Sequence, residues 1–220
     1  MKLAGSRTML DPIQQYTTYC AARYVGQNNL VGEVVEFGVW RGGSSILILR
    51  GLVDSSATQK KVFLFDTFQG MSEPSEKDRW IASGRLARSL LEESASGSVG
   101  PGKTDMRCIA DITDVKESVQ LSDYPTSNVH LIQGDVSDTI GSHIPSTICL
   151  ARLDTDWYTS TKIELETVWS RLVVGGVLIL DDYDEWSGAR EATDEFFATQ
   201  IFKPFLIRSG WGRVIIKTHD

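Results

Sequence analysis

Ile148-Cys-Leu-Ala-Arg-Leu-Asp-Thr-Asp-Trp157 and Gly176-Val-Leu-Ile-Leu-Asp-Asp-Tyr183 are the two stretches that decide the fold of this 220-residue sequence. Each is an apolar run that ends in two closely spaced acids, a pattern typical of a buried parallel strand. The interval between the two acid pairs has the length of one strand–helix–strand crossover, so the strands should be neighbours in one sheet. The alternation of strands and helices along the chain therefore predicts an α/β sandwich with a mostly parallel sheet.

Shorter apolar runs between turn residues supply the rest of the predicted sheet, which has seven strands. Strands are predicted at 31–38, 62–66, 129–133, 148–153 and 176–180, with a closing antiparallel hairpin that joins 205–207 to 214–217. The spacing of apolar residues predicts helices at 8–28, 44–53, 80–91, 111–119, 158–172 and 189–199. The pair Gly175-Gly176 is expected to end the helix that begins at Tyr158.

The length of the chain and its apolar fraction of 41% fit a single domain over residues 1–220, with an N-terminal helical segment at 1–30. Residues 70–110, called the excursion below, contain no strand pattern and interrupt the alternation of strands and helices. A long excursion just after the second strand predicts a lid insertion, and a tolerated surface insertion is the alternative.

The composition excludes several classes of partner. A net charge of −7 and a pI near 5.0 argue against a surface for nucleic acid or for an anionic membrane. The three cysteines are scattered and have no metal-ligand spacing, which favours reduced thiols in a cytoplasmic protein. The first residues lack the apolar stretch of a signal peptide, and the longest apolar run, 172–180, is too short to span a bilayer. We therefore expect a soluble, cytoplasmic protein.

Four acids end the two strands quoted first: Asp154, Asp156, Asp181 and Asp182. Because the carboxyl ends of neighbouring parallel strands meet at one edge of the sheet, these carboxylates should cluster, and open sheets bind ligands at that edge. Clustered carboxylates repel each other unless a cation neutralises them, and hard oxygen ligands suit magnesium. The alternative is that one pair caps a helix and the other forms a turn.

The loop Glu36-Phe-Gly-Val-Trp-Arg-Gly-Gly-Ser44 follows the first strand, where nucleotide-type cofactors enter such folds. Its glycines permit a sharp turn, and the helix that begins there offers unpaired amides to an anionic group. The pattern differs from the Gly-x-Gly-x-x-Gly of nicotinamide-binding loops, and an acid at the strand end suits a cofactor with an ammonium group, such as S-adenosylmethionine. Asp66 is placed to bind the ribose hydroxyls, and Gly134-Asp135-Val136 the adenine. The predicted cofactor-binding residues are Glu36, Gly38, Val39, Trp40, Gly42, Ser44, Asp66, Thr67, Phe68, Gly134, Asp135, Val136 and Asp154.

The sequence resembles the macrocin-type (TylF/MycF) O-methyltransferases, which are magnesium-dependent and methylate sugar hydroxyls of antibiotics. The resemblance covers about residues 32–190 and rests on the loop 36–44, Phe65-Asp-Thr-Phe-Gln-Gly-Met71, Arg152-Leu-Asp-Thr-Asp-Trp-Tyr-Thr-Ser-Thr161 and Asp181-Asp-Tyr183. It implies a Rossmann-like class I methyltransferase fold, metal binding by Asp154, Asp181 and Asp182, and Asp156 as the general base. It also implies a homodimer or higher homo-oligomer and a small-molecule acceptor with a free hydroxyl.

The chemistry of methyl transfer agrees with these assignments. An aliphatic hydroxyl attacks a sulfonium methyl group only when it loses its proton, and an aspartate at its ordinary pKa is too weak a base alone. A divalent cation lowers the pKa of the hydroxyl and orients it. Asp156 could serve as the base, or it could cap the helix that begins near Tyr158, and the two roles are compatible. The histidines at 130, 143 and 219 are expected to be structural.

Two other functions fit the pattern less well. A catechol or caffeoyl-type O-methyltransferase usually carries Asp-Asn where this chain has Asp181-Asp182. A non-catalytic module that binds S-adenosylmethionine would have no use for the four acids, which are unfavourable in a protein interior without a cation. Residues 1–30 and 70–110 are expected to form the wall that contacts the acceptor.

Overall fold

The computed structural model describes residues 4–97 and 105–219. Seven strands form one sheet in the order β3-β2-β1-β4-β5-β7-β6. The first five strands run parallel, and β7 and β6 form an antiparallel hairpin at one edge. The predicted α/β fold with a closing hairpin is confirmed. The strands are β1 (Glu33–Phe37), β2 (Val62–Asp66), β3 (Val129–Gln133), β4 (Ile148–Leu153), β5 (Leu172–Leu180), β6 (Ile207–Ser209) and β7 (Gly212–Ile216).

Helices cover both faces of the sheet. They are α1 (Pro12–Gln27), α2 (Gly43–Asp54), α3 (Ala87–Ala95), α4 (Ile112–Leu121), α5 (Val136–His143), α6 (Tyr158–Val168) and α7 (Ser187–Thr199). Side chains of α1, α2 and α4 pack with Val34 of β1 in one apolar cluster. Those of α5, α6 and α7 pack with Val35 in the other. Successive residues of a strand point to opposite faces, so the largely apolar central strands contribute to two cores, one on each face of the sheet. None of the helices in the described ranges combines the length and apolar character needed to cross a bilayer.

The crossover between β4 and β5 differs from the prediction. The helix ends at Val168 rather than at residue 172, because Leu172 is buried and pairs with Ile148 as the first residue of β5. The pair Gly175-Gly176 lies inside this strand and does not end a helix. Gly175 has a φ of +84°, and the pairing of β4 with β5 shifts register next to it. The glycines therefore form an irregularity within a strand.

The excursion after β2 also differs. The predicted helix 80–91 is wrong in its first half: Trp80 forms a β-bridge with Trp186, and α3 begins only at Ala87. The cause is a tertiary contact, since Ile81 donates its amide to the Glu185 carbonyl at 2.9 Å. The short helix α5, capped by Asp135, was not predicted, and His143 is its last residue. The prediction of a lid over 70–110 stays a prediction, and its part at 98–104 lies outside the described residues.

Candidate active site

A cavity of about 370 Å³ opens at the carboxyl ends of the parallel strands. Its floor comes from the ends of β1, β2, β4 and β5, and its walls come from the N-terminal segment, the excursion, and the loops after β5 and β6. It is lined by Arg7, Thr8, Met9, Leu10, Gln14, Gly38, Val39, Trp40, Ser44, Asp66, Gly70, Met71, Asp105, Met106, Cys108, Arg152, Asp154, Asp156, Asp181, Asp182, Glu185, Trp186 and Trp211.

A smaller cavity of about 70 Å³ adjoins the first and extends toward β3. It shares Gly38, Asp66 and Asp154 with the large cavity. Its own lining includes Thr67, Gly134, Asp135, Val136 and Thr155. The predicted adenine-binding segment therefore lies beside the predicted ribose-binding aspartate, in a cavity that borders the acid cluster only through Asp154.

The acid cluster forms as the strand ends predict. Asp154, Asp181 and Asp182 each present an oxygen, and these oxygens lie within 4.8 Å of one another. The backbone amide of Asp156 donates to Oδ2 of Asp182 at 3.0 Å, which joins the chain after β4 to the chain after β5. Three carboxylates with converging oxygens are a donor set that fits a hard divalent cation.

Asp156 does not cap helix α6. The residue has a φ of +64°, and the amide of Tyr158 donates instead to Oδ1 of Asp78 at 2.7 Å. Asp78 is fully buried and also accepts from the amide and hydroxyl of Ser75, both at 2.7 Å. The excursion therefore supplies the cap of α6, and the side chain of Asp156 is left in the lining of the cavity.

The protonation of the acids reflects their burial. Burial, then the charges of neighbouring carboxylates, raises the pKa of Asp156 and of Asp182 well above the aspartate value. Burial also raises the pKa of Asp181, to about 7, although the nearby guanidinium of Arg152 opposes this rise. With a pKa of about 7, Asp181 keeps its proton in part of the molecules at neutral pH, and a cation at the cluster would compete with that proton.

Arg152 is the residue that the sequence reasoning missed. Its side chain is fully buried in β4, with Nη1 at 3.1 Å from Oε1 of Glu36 and at 2.8 Å from Oδ2 of Asp154. Its Nη2 lies 3.1 Å from Oδ2 of Asp181. One guanidinium thus links acids at the ends of β1, β4 and β5. The available signal was a single charged residue inside an otherwise apolar strand.

The loop after β1 packs tightly on the acid cluster. Gly38 has a φ of +75°, and a Cβ there would lie 1.7 Å from the carbonyl oxygen of Asp154. Asp66 holds this loop from the side, because its Oδ2 accepts from the amides of Val39 and Trp40 at 2.7 and 2.9 Å. Only glycine permits both the conformation and the approach at position 38.

Three of the predicted cofactor-binding residues lie behind the lining. Glu36 is fully buried and accepts from the Ser45 hydroxyl at 2.5 Å as well as from Arg152. Gly42 packs against helix α4, and Phe68 is buried in the core. The other ten line one or both cavities: Gly38, Val39, Trp40, Ser44, Asp66, Thr67, Gly134, Asp135, Val136 and Asp154.

Comparison with known proteins places the chain among O-methyltransferases. It is 30% identical over 184 residues to a demethyldecarbamoylnovobiocin O-methyltransferase of Streptomyces niveus, a match that covers 81% of this chain and 63% of that protein. It is 29% identical over 174 residues to an 8-demethyl-8-(2,3-dimethoxy-alpha-L-rhamnosyl)-tetracenomycin-C 4'-O-methyltransferase of Streptomyces olivaceus, covering 79% of this chain and 59% of that one. The chain thus spans about three fifths of the length of these curated relatives.

Solved structures agree with these matches. The O-methyltransferase NovP superposes with a TM-score of 0.79 at 25% identity, over 96% of this chain and 82% of that one. A TDP-rhamnose 3'-O-methyltransferase of calicheamicin biosynthesis superposes with a TM-score of 0.60 at 21% identity, over 94% and 81% of the two chains, and shares the fold. The family model of macrocin O-methyltransferases (TylF) matches residues 6–214, and the chain therefore belongs to the macrocin O-methyltransferase family.

Proposed function

We propose that this protein transfers the methyl group of S-adenosylmethionine to a hydroxyl of a sugar or similar natural product, with a divalent cation, magnesium, at Asp154, Asp181 and Asp182. The observation that carries the proposal is the convergence of these three carboxylates beside the Gly38 loop, in the floor of the large cavity. The family and the named reactions of the relatives support the same reaction class.

The residues fit the cofactor in two regions. The amides at the start of α2 and the Ser44 hydroxyl can bind the carboxylate of the cofactor. Asp66 keeps acceptor capacity for a ribose hydroxyl on Oδ1, which accepts from the Phe68 amide alone, whereas Oδ2 already accepts from the amides of Val39 and Trp40. The smaller cavity beside Asp135 and Val136 is the proposed adenine site.

Asp156 is the proposed general base. Its backbone φ of +64° turns it out of line with the strand, and Asp78 rather than Asp156 caps helix α6, so the Asp156 side chain lines the cavity. The bound cation would lower the pKa of the acceptor hydroxyl and orient it. Asp156 would then take the hydroxyl proton, and the raised pKa of this carboxyl makes it a stronger base than an ordinary aspartate.

A phenolic acceptor of the catechol type is the second candidate, because the same cation and base would activate a phenol. The substrate in the name of the Streptomyces olivaceus relative carries a rhamnosyl group, which favours a sugar hydroxyl. A non-catalytic binding module is disfavoured by the buried acids, since uncompensated buried charges are unfavourable. A cytoplasmic location and a homodimer or higher homo-oligomer remain predictions.

Mass spectrometry with labelled S-adenosylmethionine tests the proposal. Glycosylated natural products and catechols are offered in parallel, with magnesium and with EDTA. Label on a sugar hydroxyl that disappears in EDTA is the expected result. Label on catechols alone would overturn the sugar assignment, undiminished turnover in EDTA would remove the cation from the mechanism, and no label on either class would favour the binding module.

A further inference from the structure

Each carboxylate of the acid cluster is held by a contact with another residue. Asp154 lies 2.8 Å from Nη1 of Arg152, and Asp182 accepts from the backbone amide of Asp156 at 3.0 Å. The partners in these two contacts belong to β4 or to the residues that directly follow it. Asp181 differs from its two neighbours, because it also has a partner from the N-terminal part of the chain.

That partner is Gln14, in the first turn of helix α1. Its Nε2 donates to Oδ1 of Asp181 at 3.2 Å, although the two residues are 167 positions apart in the sequence. Nη2 of Arg152 lies 3.1 Å from the other oxygen of Asp181, but it makes no hydrogen bond within the described part of the chain. Over residues 4–97 and 105–219, Gln14 is therefore the one nitrogen donor that is hydrogen-bonded to this carboxylate.

Two partners of opposite kind fix the orientation of the Gln14 amide. While Nε2 donates to Asp181, Oε1 accepts from the backbone amide of Asp11 at 3.3 Å, which completes the capping box of α1. Rotation of the amide group by 180° would place its oxygen against a carboxylate and its nitrogen against an N–H donor. The donor side of Gln14 therefore faces Asp181.

The turn between β6 and β7 holds helix α1 in place beside Asp181. Gly210 of this turn has a φ of +59°, and a Cβ there would lie 2.8 Å from Cγ of Gln14, so the turn packs directly on the Gln14 side chain. Further along α1, the Thr17 hydroxyl accepts from the hydroxyl of Ser209 at 2.8 Å. Gln14 is 6% exposed and lines the large cavity. A side chain that is ordered before a ligand binds adds little entropic cost to the binding.

The inference rests on the cation of the function proposed above. We infer that Gln14 is a positioning residue, which holds Asp181 in the orientation that the cation requires, so that helix α1 belongs to the cation site. Partners in the outer shell of a metal site fix the orientation of the residues that bind the metal. Asp181 keeps acceptor capacity for a cation, because each carboxylate oxygen has two lone pairs and Gln14 uses one of those on Oδ1.

A role in helix capping alone is the alternative for Gln14. Loss of the capping contact would lower stability equally with and without a cation. Loss of a positioning contact would instead weaken the binding of the cation, and so reduce the stability that the cation adds. The affinity for magnesium in the absence of turnover therefore separates the two roles.

Calorimetric titration of MgCl₂ into the protein loaded with S-adenosylhomocysteine measures this affinity. Gln14→Met keeps the length and the helix propensity of the side chain and removes both of its polar groups. The Kd for magnesium should rise about 10- to 100-fold. The increase in Tm at a fixed magnesium concentration should become smaller for the same reason.

Gln14→Asn measures the same effect without placing an apolar group in the cavity. It keeps an amide on a side chain that is one methylene shorter, so the contact of 3.2 Å lengthens beyond the range of a hydrogen bond. The Kd for magnesium should rise in this variant too.

Gln15→Met is the matched control. It makes the same change at the next position of α1, where Nε2 of Gln15 donates to the Leu10 carbonyl at 2.8 Å and the side chain lies outside the lining of the cavity. This variant should bind magnesium as the wild type does. Melting curves in EDTA show that each variant is folded before it is titrated.

The outcomes separate the inference from the proposed function. Unchanged magnesium affinity in both Gln14 variants would overturn the inference and leave the proposed function intact, and a lower Tm in EDTA would then assign Gln14 to capping alone. An equal loss of affinity in Gln15→Met would overturn it as well. Failure of the wild type to bind magnesium would overturn the proposed cation together with the inference.

Discussion

Replacing Arg152 with methionine tests the charge balance beneath the active site. The guanidinium is fully buried and lies within 3.1 Å of Glu36, Asp154 and Asp181. Methionine fills similar volume without charge, so the three acids would remain in the interior with no cation. Breaking a buried ion pair in this way destabilises proteins by about 3–5 kcal/mol. For a chain of this length, that corresponds to a fall in Tm of about 6–20 °C.

The loss of stability in Arg152→Met should increase with pH. Burial already raises the pKa of Glu36, Asp154 and Asp181, and the guanidinium opposes that rise in each case. Without it the folded-state pKa values move further above the unfolded ones. A raised folded-state pKa contributes stability that is present below the unfolded pKa and is lost as the pH rises through the folded value. The loss of unfolding free energy caused by Arg152→Met should therefore be larger at pH 8 than at pH 5.

Urea unfolding followed by circular dichroism at the two pH values, in EDTA, measures this effect. Arg208→Met is the matched control, because Arg208 is exposed and makes a longer ion pair, with Nε at 3.5 Å from Oδ2 of Asp184. Exposed pairs contribute about 0–1 kcal/mol, so the control should unfold almost as the wild type does. The electrostatic account would be refuted if Arg152→Met lost no more unfolding free energy than the control. It would also be refuted if that loss were equal at the two pH values.

Three further predictions concern the acids and the loop above them. Because burial raises the pKa of Asp181 to about 7, metal-free protein should melt at a lower temperature as the pH rises from 5 to 8, and magnesium should raise the Tm at pH 8 more than at pH 5. Gly38→Ala should destabilise by more than Gly84→Ala, since both have φ above +70° but only the first would place a Cβ against Asp154; equal losses in urea unfolding would contradict this. Asp156→Asn should lower kcat about 10²- to 10⁴-fold with unchanged binding of S-adenosylhomocysteine by calorimetry, and full activity would remove Asp156 from the role of base.

The parallel core was predictable because its signals are local. Short apolar runs between turn residues, such as 62–66 and 148–153, are typical of buried strands, and the acids at or just after their ends mark one edge of the sheet. The same reasoning predicted that Asp154, Asp181 and Asp182 lie close together, and in the structure their carboxylate oxygens do converge. That β4 and β5 are neighbours, with their carboxyl ends at one edge, follows from general rules of chain connection, so no side-chain detail was needed for this part of the prediction.

What the sequence did not disclose depends on contacts between distant residues. Trp80 had the spacing of a helix, but it pairs with Trp186, more than one hundred residues further along the chain. Asp156 occupied the position expected for a cap, but Asp78 arrives from the excursion and takes that role. The depth at which Glu36 lies depends on a guanidinium from another strand. In each case a long-range partner overrides a reasonable local pattern.

Because Asp78 of the excursion caps helix α6, the excursion and the start of α6 form one cooperative unit. The excursion cannot detach from the body without leaving the first amide of α6 unsatisfied, because the Tyr158 amide has its partner on that segment. Protection of the Tyr158 amide from hydrogen exchange should therefore report on the excursion, although the amide belongs to helix α6. Detachment of the excursion and disorder of the chain around Asp156 would then be a single event, so that Asp156, the proposed base, stays in its place in the cavity only while the excursion is docked.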